Sequence, residues 1–335
     1  MSKPKVNDAS DDPLPSQRRS RFSRAPSGGF ALGERDEALL CDLFLFRCLS
    51  REHIERLHFE STSRCNRRLR QLFDYGFVHR HYLALSPWGS PALYFPALGS
   101  VPAIGRELER RELDVDPGEI HRVCRVKSAP AYLEHTLACA DFFLRVKEDI
   151  EVAQAQGLGI QLDLYLPETL CREEYDVQAP GTGWRREIFK PDAFFRLQLT
   201  GHRFASCFVE IDRGHVSSAL FRAKRDSYRR YYETGLFAHA YGDDPTPGVA
   251  DGADRASPKG SFLVLVVTTG RLRLSHLRAA VEEEMHARAG GGESEGEVGV
   301  GFRFTTFADL ATGGLLGGHW QAPLQDETVL LIERA

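Results

Sequence analysis

Lys190-Pro-Asp-Ala-Phe-Phe-Arg-Leu197, followed beyond Gly201 by Phe208-Val-Glu-Ile-Asp-Arg213, is the stretch on which the fold turns. Both pieces have strand length and strand composition, and Pro191 and Gly201 punctuate them. A hairpin centred on Gly201 pairs residues whose numbers sum to 402, so Asp192 opposes Glu210 and Lys190 opposes Asp212. Directly opposed residues of an antiparallel pair project from one face with Cβ atoms about 5 Å apart. Two carboxylates so placed repel, raise one pKa, or are held by a cation, and a hard divalent metal with oxygen ligands is the usual resolution. Asp192 and Glu210 are therefore the candidate metal ligands, with Mg²⁺ the expected ion and phosphodiester chemistry the expected use. The plainer alternative is a solvated strand end with Lys190 and Asp212 as an exposed ion pair worth about 0–1 kcal/mol. A one-residue slip in register would break the pairing altogether.

The first third of the chain has a different pattern. A helical stripe runs from Glu34 through Leu39, Leu40, Leu43 and Phe44, and a second helix follows Ser50. Ser61-Thr-Ser63 caps a third helix that Gly76 stops. On that third helix Cys65, Leu69, Leu72 and Phe73 form an apolar face, leaving Arg64, Asn66, Arg67, Arg68, Arg70 and Gln71 around the rest of the circumference. Phe77–Leu83, which carries Arg80 and His81, and Ala92–Pro96 read as a hairpin. Three helices and a hairpin describe a winged helix, in which the third helix enters the major groove and the wing reaches the backbone. Residues 61–81 hold five arginines against the single acid Asp74, so the charge is local and lies where duplex DNA would be. The competing reading is a winged helix used for protein pairing, with a solvated basic face.

Composition sets the outer bounds. With 335 residues and 42% hydrophobic content, the chain is that of a folded two-domain protein, and a net charge of −4 gives no global attraction to nucleic acid. No stretch approaches the ~20 apolar residues of a membrane span, and the start lacks a secretory signal, so a cytoplasmic location is expected. Seven scattered cysteines read as reduced, buried small hydrophobes. The 36 arginines against 7 lysines suit phosphate recognition, although a GC-rich coding sequence explains them as well. The expected organisation is a disordered basic tail over 1–33 (with Arg18, Arg19, Arg21 and Arg24), the winged helix over 34–98, a connector over 99–129, and a second domain over 130–335 with flexible loops at 241–260 and 288–300.

In that second domain a helix at about 130–148, a strand at 160–166, the two strands of the opening stretch, a helix at 216–234 and a strand at 262–269 follow in order. This α-β-β-β-α-β order, with Pro-Asp on the second strand and Glu-x-Asp on the third, resembles the core of the PD-(D/E)XK nuclease-like superfamily. The resemblance implies an α+β or α/β fold with a mixed sheet. It also implies that Asp192 and Glu210 hold Mg²⁺, that an acid on the first helix, here Glu134, assists, and that a lysine two residues past the Glu positions the attacking water. Asp212 stands in that lysine's place, so Lys190 or Lys224 is the candidate ammonium, and the site is expected to be degenerate. Over residues 34–322 the chain resembles the replication-relaxation family of plasmid and mobile-element proteins. That resemblance rests on Arg67-Arg-Leu-Arg-Gln-Leu-Phe-Asp-Tyr-Gly-Phe-Val78, Glu134-His-Thr-Leu-Ala-Cys-Ala-Asp-Phe-Phe143, Pro191-Asp-Ala193, Glu210-Ile-Asp-Arg-Gly214 with Lys224 and Tyr228, and Phe304-Thr-Thr-Phe307 with Trp320.

Three functions remain open at this point. The first is a protein of plasmid or mobile-element replication that binds double-stranded DNA. The second is an active Mg²⁺-dependent endonuclease, with Glu134, Asp192, Glu210, Asp212, Lys190 and Lys224 as candidate catalytic residues. The third is a transcriptional repressor whose C-terminal domain dimerises. A homodimer or a replication or mobilisation protein is the expected protein partner. His135 is expected to pack or cap.

Overall fold

The computed structural model describes residues 23, 24, 26, 28–82, 92–126, 132–179, 183–200, 203–241, 261–290 and 299–331. Together they form a mixed α+β protein built on two hydrophobic cores, with a seven-stranded mixed sheet in the second.

The first core begins with α1 (Glu34–Leu45), β1 (Leu49–Ser50), α2 (Arg51–His58) and α3 (Thr62–Asp74), and continues into the hairpin β2 (Val78–Tyr82) and β3 (Ala92–Pro96). Ser50 caps α2 by accepting a hydrogen bond from the His53 N–H at 3.1 Å. Gly76 ends α3 at φ +83°, a left-handed conformation that costs an L side chain but not glycine. The three strands lie in the order β1-β3-β2, all antiparallel. Helices α4 (Val101–Arg110) and α5 (Pro117–Cys124) belong to the same core through Ala103, Ile104, Leu108, Ile120 and Val123. The expected connector over 99–129 is therefore part of the first unit. Its apolar residues recur at helical spacing and have α1 to bury against.

Helix α1 holds this unit together electrostatically. Its buried acids each take arginine or histidine partners from another helix: Asp36 from Arg68 (2.8 Å), Glu37 from Arg106 (2.9 Å) and Arg110, and Asp42 from Arg111 (2.7 Å) and His58 (2.9 Å). Burying a carboxylate is tolerable only when it is paired and hydrogen-bonded. The segment before α1 is held in a similar way. Phe30 stacks on Tyr75 at 4.5 Å between centroids and receives the Arg68 guanidinium at 4.4 Å from its own ring centroid, while Arg24 lies over Phe73 at 4.7 Å. The expectation of a disordered tail up to residue 33 is thus corrected for residues 28–33, because their aromatic and backbone groups have partners on α3. Residues 1–22, with Arg18, Arg19 and Arg21, lie outside the described residues.

The second unit runs α6 (Leu133–Ala155), β4 (Gln161–Pro167), β5 (Glu173–Ala179), β6 (Gly183–Phe189), β7 (Ala193–Leu199), β8 (Arg203–Asp212), α7 (Ser218–Glu233), α8 (Leu236–Tyr241) and β9 (Phe262–Thr268). It finishes with α9 (Arg271–Gly290), β10 (Val300–Thr306), α10 (Phe307–Gly313), β11 (Trp320–Gln321) and β12 (Thr328–Val329). The sheet order is β12-β11-β10-β9-β8-β7-β4, antiparallel from β4 to β8 and parallel from β8 to β10. Strand β9 is central and buried on both faces, which is why Phe262–Val267 is a continuous apolar run. Helices α7 and α9 cover one face around Phe208 and Tyr228, and α6 and α10 cover the other around Phe195 and Trp320. The β5–β6 hairpin, which the element order read from sequence does not contain, is packed on α7 through Phe189, which stacks on Tyr231 at 4.0 Å. All seven cysteines are free and buried. Among the described residues, no helix is long and apolar enough to cross a membrane.

Arg68 and Arg67 are neighbours on α3 with different work to do, and stability separates them. Arg68→Ala leaves Asp36 buried without its cation and should cost about 3–5 kcal/mol in urea unfolding. Arg67→Ala, on the exposed face, should stay within about 0.5 kcal/mol of wild type.

Candidate functional site

The register between β7 and β8 brings the two acids of the opening stretch together. Partners run from Ala193↔Val209 to Leu199↔Arg203, all summing to 402, and the Asp192 N–H continues the ladder by donating to the Val209 carbonyl at 3.1 Å. Asp192 and Glu210 are both buried. Lys224, on the second turn of α7, reaches both: its Nζ contacts Glu210 Oε2 and lies 3.8 Å from Asp192 Oδ1. Tyr228, one turn further along α7, donates its hydroxyl to Glu210 Oε1. On the other side, Asp192 Oδ2 accepts the Ile211 N–H at 2.7 Å, and His135 Nε2 on α6 lies 3.3 Å from Oδ1.

All four carboxylate oxygens therefore have protein partners, and the two acids titrate apart. Burial disfavours the charge on Asp192, but Lys224, His135 and the Ile211 amide outweigh it and lower its pKa to about 2. Glu210 is pushed up to about 7 by burial, with the Asp192 charge adding to the rise, although Lys224 and Tyr228 oppose it. Lys224 is nearer to Glu210, yet Asp192 is the better stabilised anion because it alone has the backbone amide and the imidazole. Burial works against the Lys224 ammonium, and the two carboxylates overcome that and raise its pKa. The His135 pKa is raised by its hydrogen bond to Asp192.

The other candidate residues lie elsewhere. Lys190 does not pair with Asp212: its ammonium is 2.5 Å from Glu168, because Pro191 ends the ladder before position 190 is reached. Asp212 is held by Arg273 of α9 at 2.8 Å and by the Thr268 hydroxyl at 2.6 Å, so its charge is neutralised away from Glu210 and Asp192. Glu134 is largely exposed and paired with Arg213 at 2.9 Å. The α6 residue that faces the pair is its neighbour His135, expected only to pack. Sequence gave one available signal, since position 135 lies on the same helical stripe as Cys139 and Phe142, which pack into the core.

A resident divalent ion does not fit this arrangement. The ammonium occupies the position between the two carboxylates where the ion was expected, and it supplies the positive charge that the pair requires. Among the described residues, no group of three His, Cys, Asp or Glu side chains could hold a metal.

The basic helix divides into two sets. Arg64, Asn66, Arg67 and Gln71 are exposed, and among the described residues Arg64, Asn66 and Arg67 have no hydrogen-bond or ion-pair partner. Gln71 Oε1 accepts from Arg68 at 3.0 Å. Arg64, Arg67 and Gln71 fall at i, i+3 and i+7 and share one face. The others are corrected from the expected DNA-facing set. Arg68 is bound to Asp36, Arg70 to Asp74 at 2.9 Å and to the Ser23 carbonyl at 3.0 Å, and Arg80 stacks on Phe73 at 4.3 Å. His81 packs edge-on to Phe95 at 5.1 Å. Each serves the core because a buried acid or an aromatic face lies within its reach.

The described residues thus define a two-core α+β protein with a basic helix on one core and a carboxylate–ammonium cluster at the sheet end of the other. The chain belongs to the replication-relaxation family, whose model matches residues 40–246 and so more than half of the 335 residues. That description points to a role in replication or relaxation. No curated protein and no solved structure matches the chain.

The pKa directions fix a pH dependence. Glu210 is raised in the folded state from 4.5 to about 7, so the folded chain binds more protons than the unfolded one between those values, and stability falls as pH rises through that window. His135, also raised, contributes in the same direction and loses its contribution as pH rises through its folded value. Urea midpoints of wild type should therefore fall relative to Glu210→Gln from about pH 5 to about pH 7.5, and the variant should be the more stable protein at the upper end. Lys224→Met should cost about 3–5 kcal/mol at neutral pH, since it leaves the carboxylates buried without their cation.

Proposed function

We propose that this chain is a DNA-binding protein of plasmid or mobile-element replication or relaxation. In this reading the first unit is a winged helix whose α3 docks in the major groove of duplex DNA. The second is a PD-(D/E)XK-like unit whose acidic pair is closed by its own lysine. The observation that carries the proposal is the stripe of Arg64, Arg67 and Gln71, exposed beside a hairpin, while the other arginines of the helix, Arg68 and Arg70, are engaged in the core. Arginine and amide side chains on one helix face are the groups that read base edges and neutralise phosphates. The family assignment supports a DNA element as the target.

The test is a mobility-shift titration against duplex DNA. Arg64→Ala/Arg67→Ala should lower affinity at least ten-fold, flatten the log–log salt dependence by about 0.9 per lost phosphate contact, and leave unfolding unchanged. Unchanged affinity would remove α3 as the DNA-reading element.

A second reading, a metal-dependent endonuclease, is favoured by one observation. Lys224 supplies from α7 the ammonium that Asp212 denies to β8. Plasmid nicking in Mg²⁺ that is lost in Asp192→Ala would make that reading lead. The proposal expects no such nicking.

A further inference from the structure

The two units meet in a cleft of about 970 Å³. Its first wall comes from the end of α1, β3 and α5, and its second from the start of α6, the loop after β4, and Lys190. Four cations line it: Arg47 and Arg122 on the first wall, Arg172 and Lys190 on the second. Among the described residues two acids, Glu119 and Glu168, line it with them. Glu119 is shared by Arg47 and Arg122, both at 2.7 Å, Glu168 holds Lys190, and Arg172 pairs with Glu174, which Arg186 shares at 2.9 Å, so arginines and lysines outnumber the acids along the lining and its edge. Such exposed pairs are worth about 0–1 kcal/mol and exchange readily for a phosphate. Tyr132 stands 79% exposed at the mouth and Val126 47% exposed, large apolar surfaces that no neighbour among the described residues covers. The floor reaches His135, and through it Asp192.

We propose that this cleft binds a single strand of DNA, with its phosphates along the four cations and a base stacked on Tyr132. This rests on the reading of the chain as a DNA-binding protein, and it names a second substrate form at a second place. Surplus cations interleaved with an exposed aromatic ring are the combination that holds single strands without reading sequence. A cleft of this volume accommodates a few nucleotides of one strand. The strand therefore lies between the unit that grips duplex on α3 and the carboxylate–ammonium cluster. That is the arrangement a protein acting at a duplex–single-strand junction requires.

Fluorescence anisotropy of labelled oligo(dT), and of a duplex of equal length, tests this on the full chain. Arg122→Ala/Arg172→Ala should lower oligo(dT) affinity at least ten-fold and flatten its salt slope by about 0.7 per lost phosphate contact, with duplex affinity unchanged. Tyr132→Ala should lower oligo(dT) affinity by roughly five-fold or more, and Tyr132→Phe should retain it, since the ring does the stacking. Absence of oligo(dT) binding by wild type would overturn the proposal. So would loss of oligo(dT) binding in Arg64→Ala/Arg67→Ala, or polyglutamate competing as well as unlabelled oligo(dT). Oligo(dT) binding that depends on the cleft, without any duplex binding, would support the cleft and reject the role given to α3. Duplex binding without oligo(dT) binding would do the reverse.

Discussion

The Lys224 ammonium between Asp192 and Glu210 is the interaction on which the second unit depends. It joins three successive elements: the entry to β7, the end of β8 and the middle of α7. Burying two carboxylates on adjacent strands is unfavourable without a counter-charge, and here the counter-charge is covalently part of the helix that covers them. The register of the hairpin, the seat of α7 and the asymmetry between the two acids all follow from it. Asp192 is further fixed by the Ile211 amide and His135, so the pair is held from both faces of the sheet. The arrangement is that of a closed polar cluster whose members satisfy one another.

A similar rule of pairing governs the first unit, where it decides which arginines are available for binding. Asp36, Glu37 and Asp42 sit on the buried side of α1 and draw arginines from α3 and α4 inward. Arg68 is consumed there, and Arg70 and Arg80 are consumed by Asp74 and Phe73. Arg64 and Arg67 remain outside, exposed and without an ion pair among the described residues. The basic helix therefore presents a narrow stripe to solvent, and it is the stripe, more than the total charge of the helix, that has the geometry to enter a groove.

Much of this was legible in the sequence, for identifiable reasons. The β7–β8 register could be read because Pro191 and Gly201 bound the hairpin and a side-chain period of two leaves one alignment that buries Phe194 and Phe208 together. The helices of the first unit were legible from caps and apolar spacing. Four features were not. His135 was passed over for Glu134 because the superfamily resemblance implies an acid on the first helix, and nothing local shows that the helix turns its next residue toward Asp192. Lys224 was one of two candidate ammoniums, and the choice of it over Lys190 was settled only by the packing of α7 on β8, which brings it to Glu210 across 14 residues. The β5–β6 hairpin carries polar residues on its outer face and reads as loop. Finally, the capture of Arg68 required knowing that Asp36, 32 residues away, would be buried beside it.

The central claim is that Lys224 takes the place of a metal ion at the carboxylate pair, and calorimetric titration of Mn²⁺ into the full chain tests it most directly. Wild type should give no saturable one-site heat. Lys224→Ala, which frees both carboxylates, should acquire one and should gain thermal stability in the presence of Mn²⁺. A one-site Mn²⁺ heat in wild type that disappears in Asp192→Ala would contradict the account.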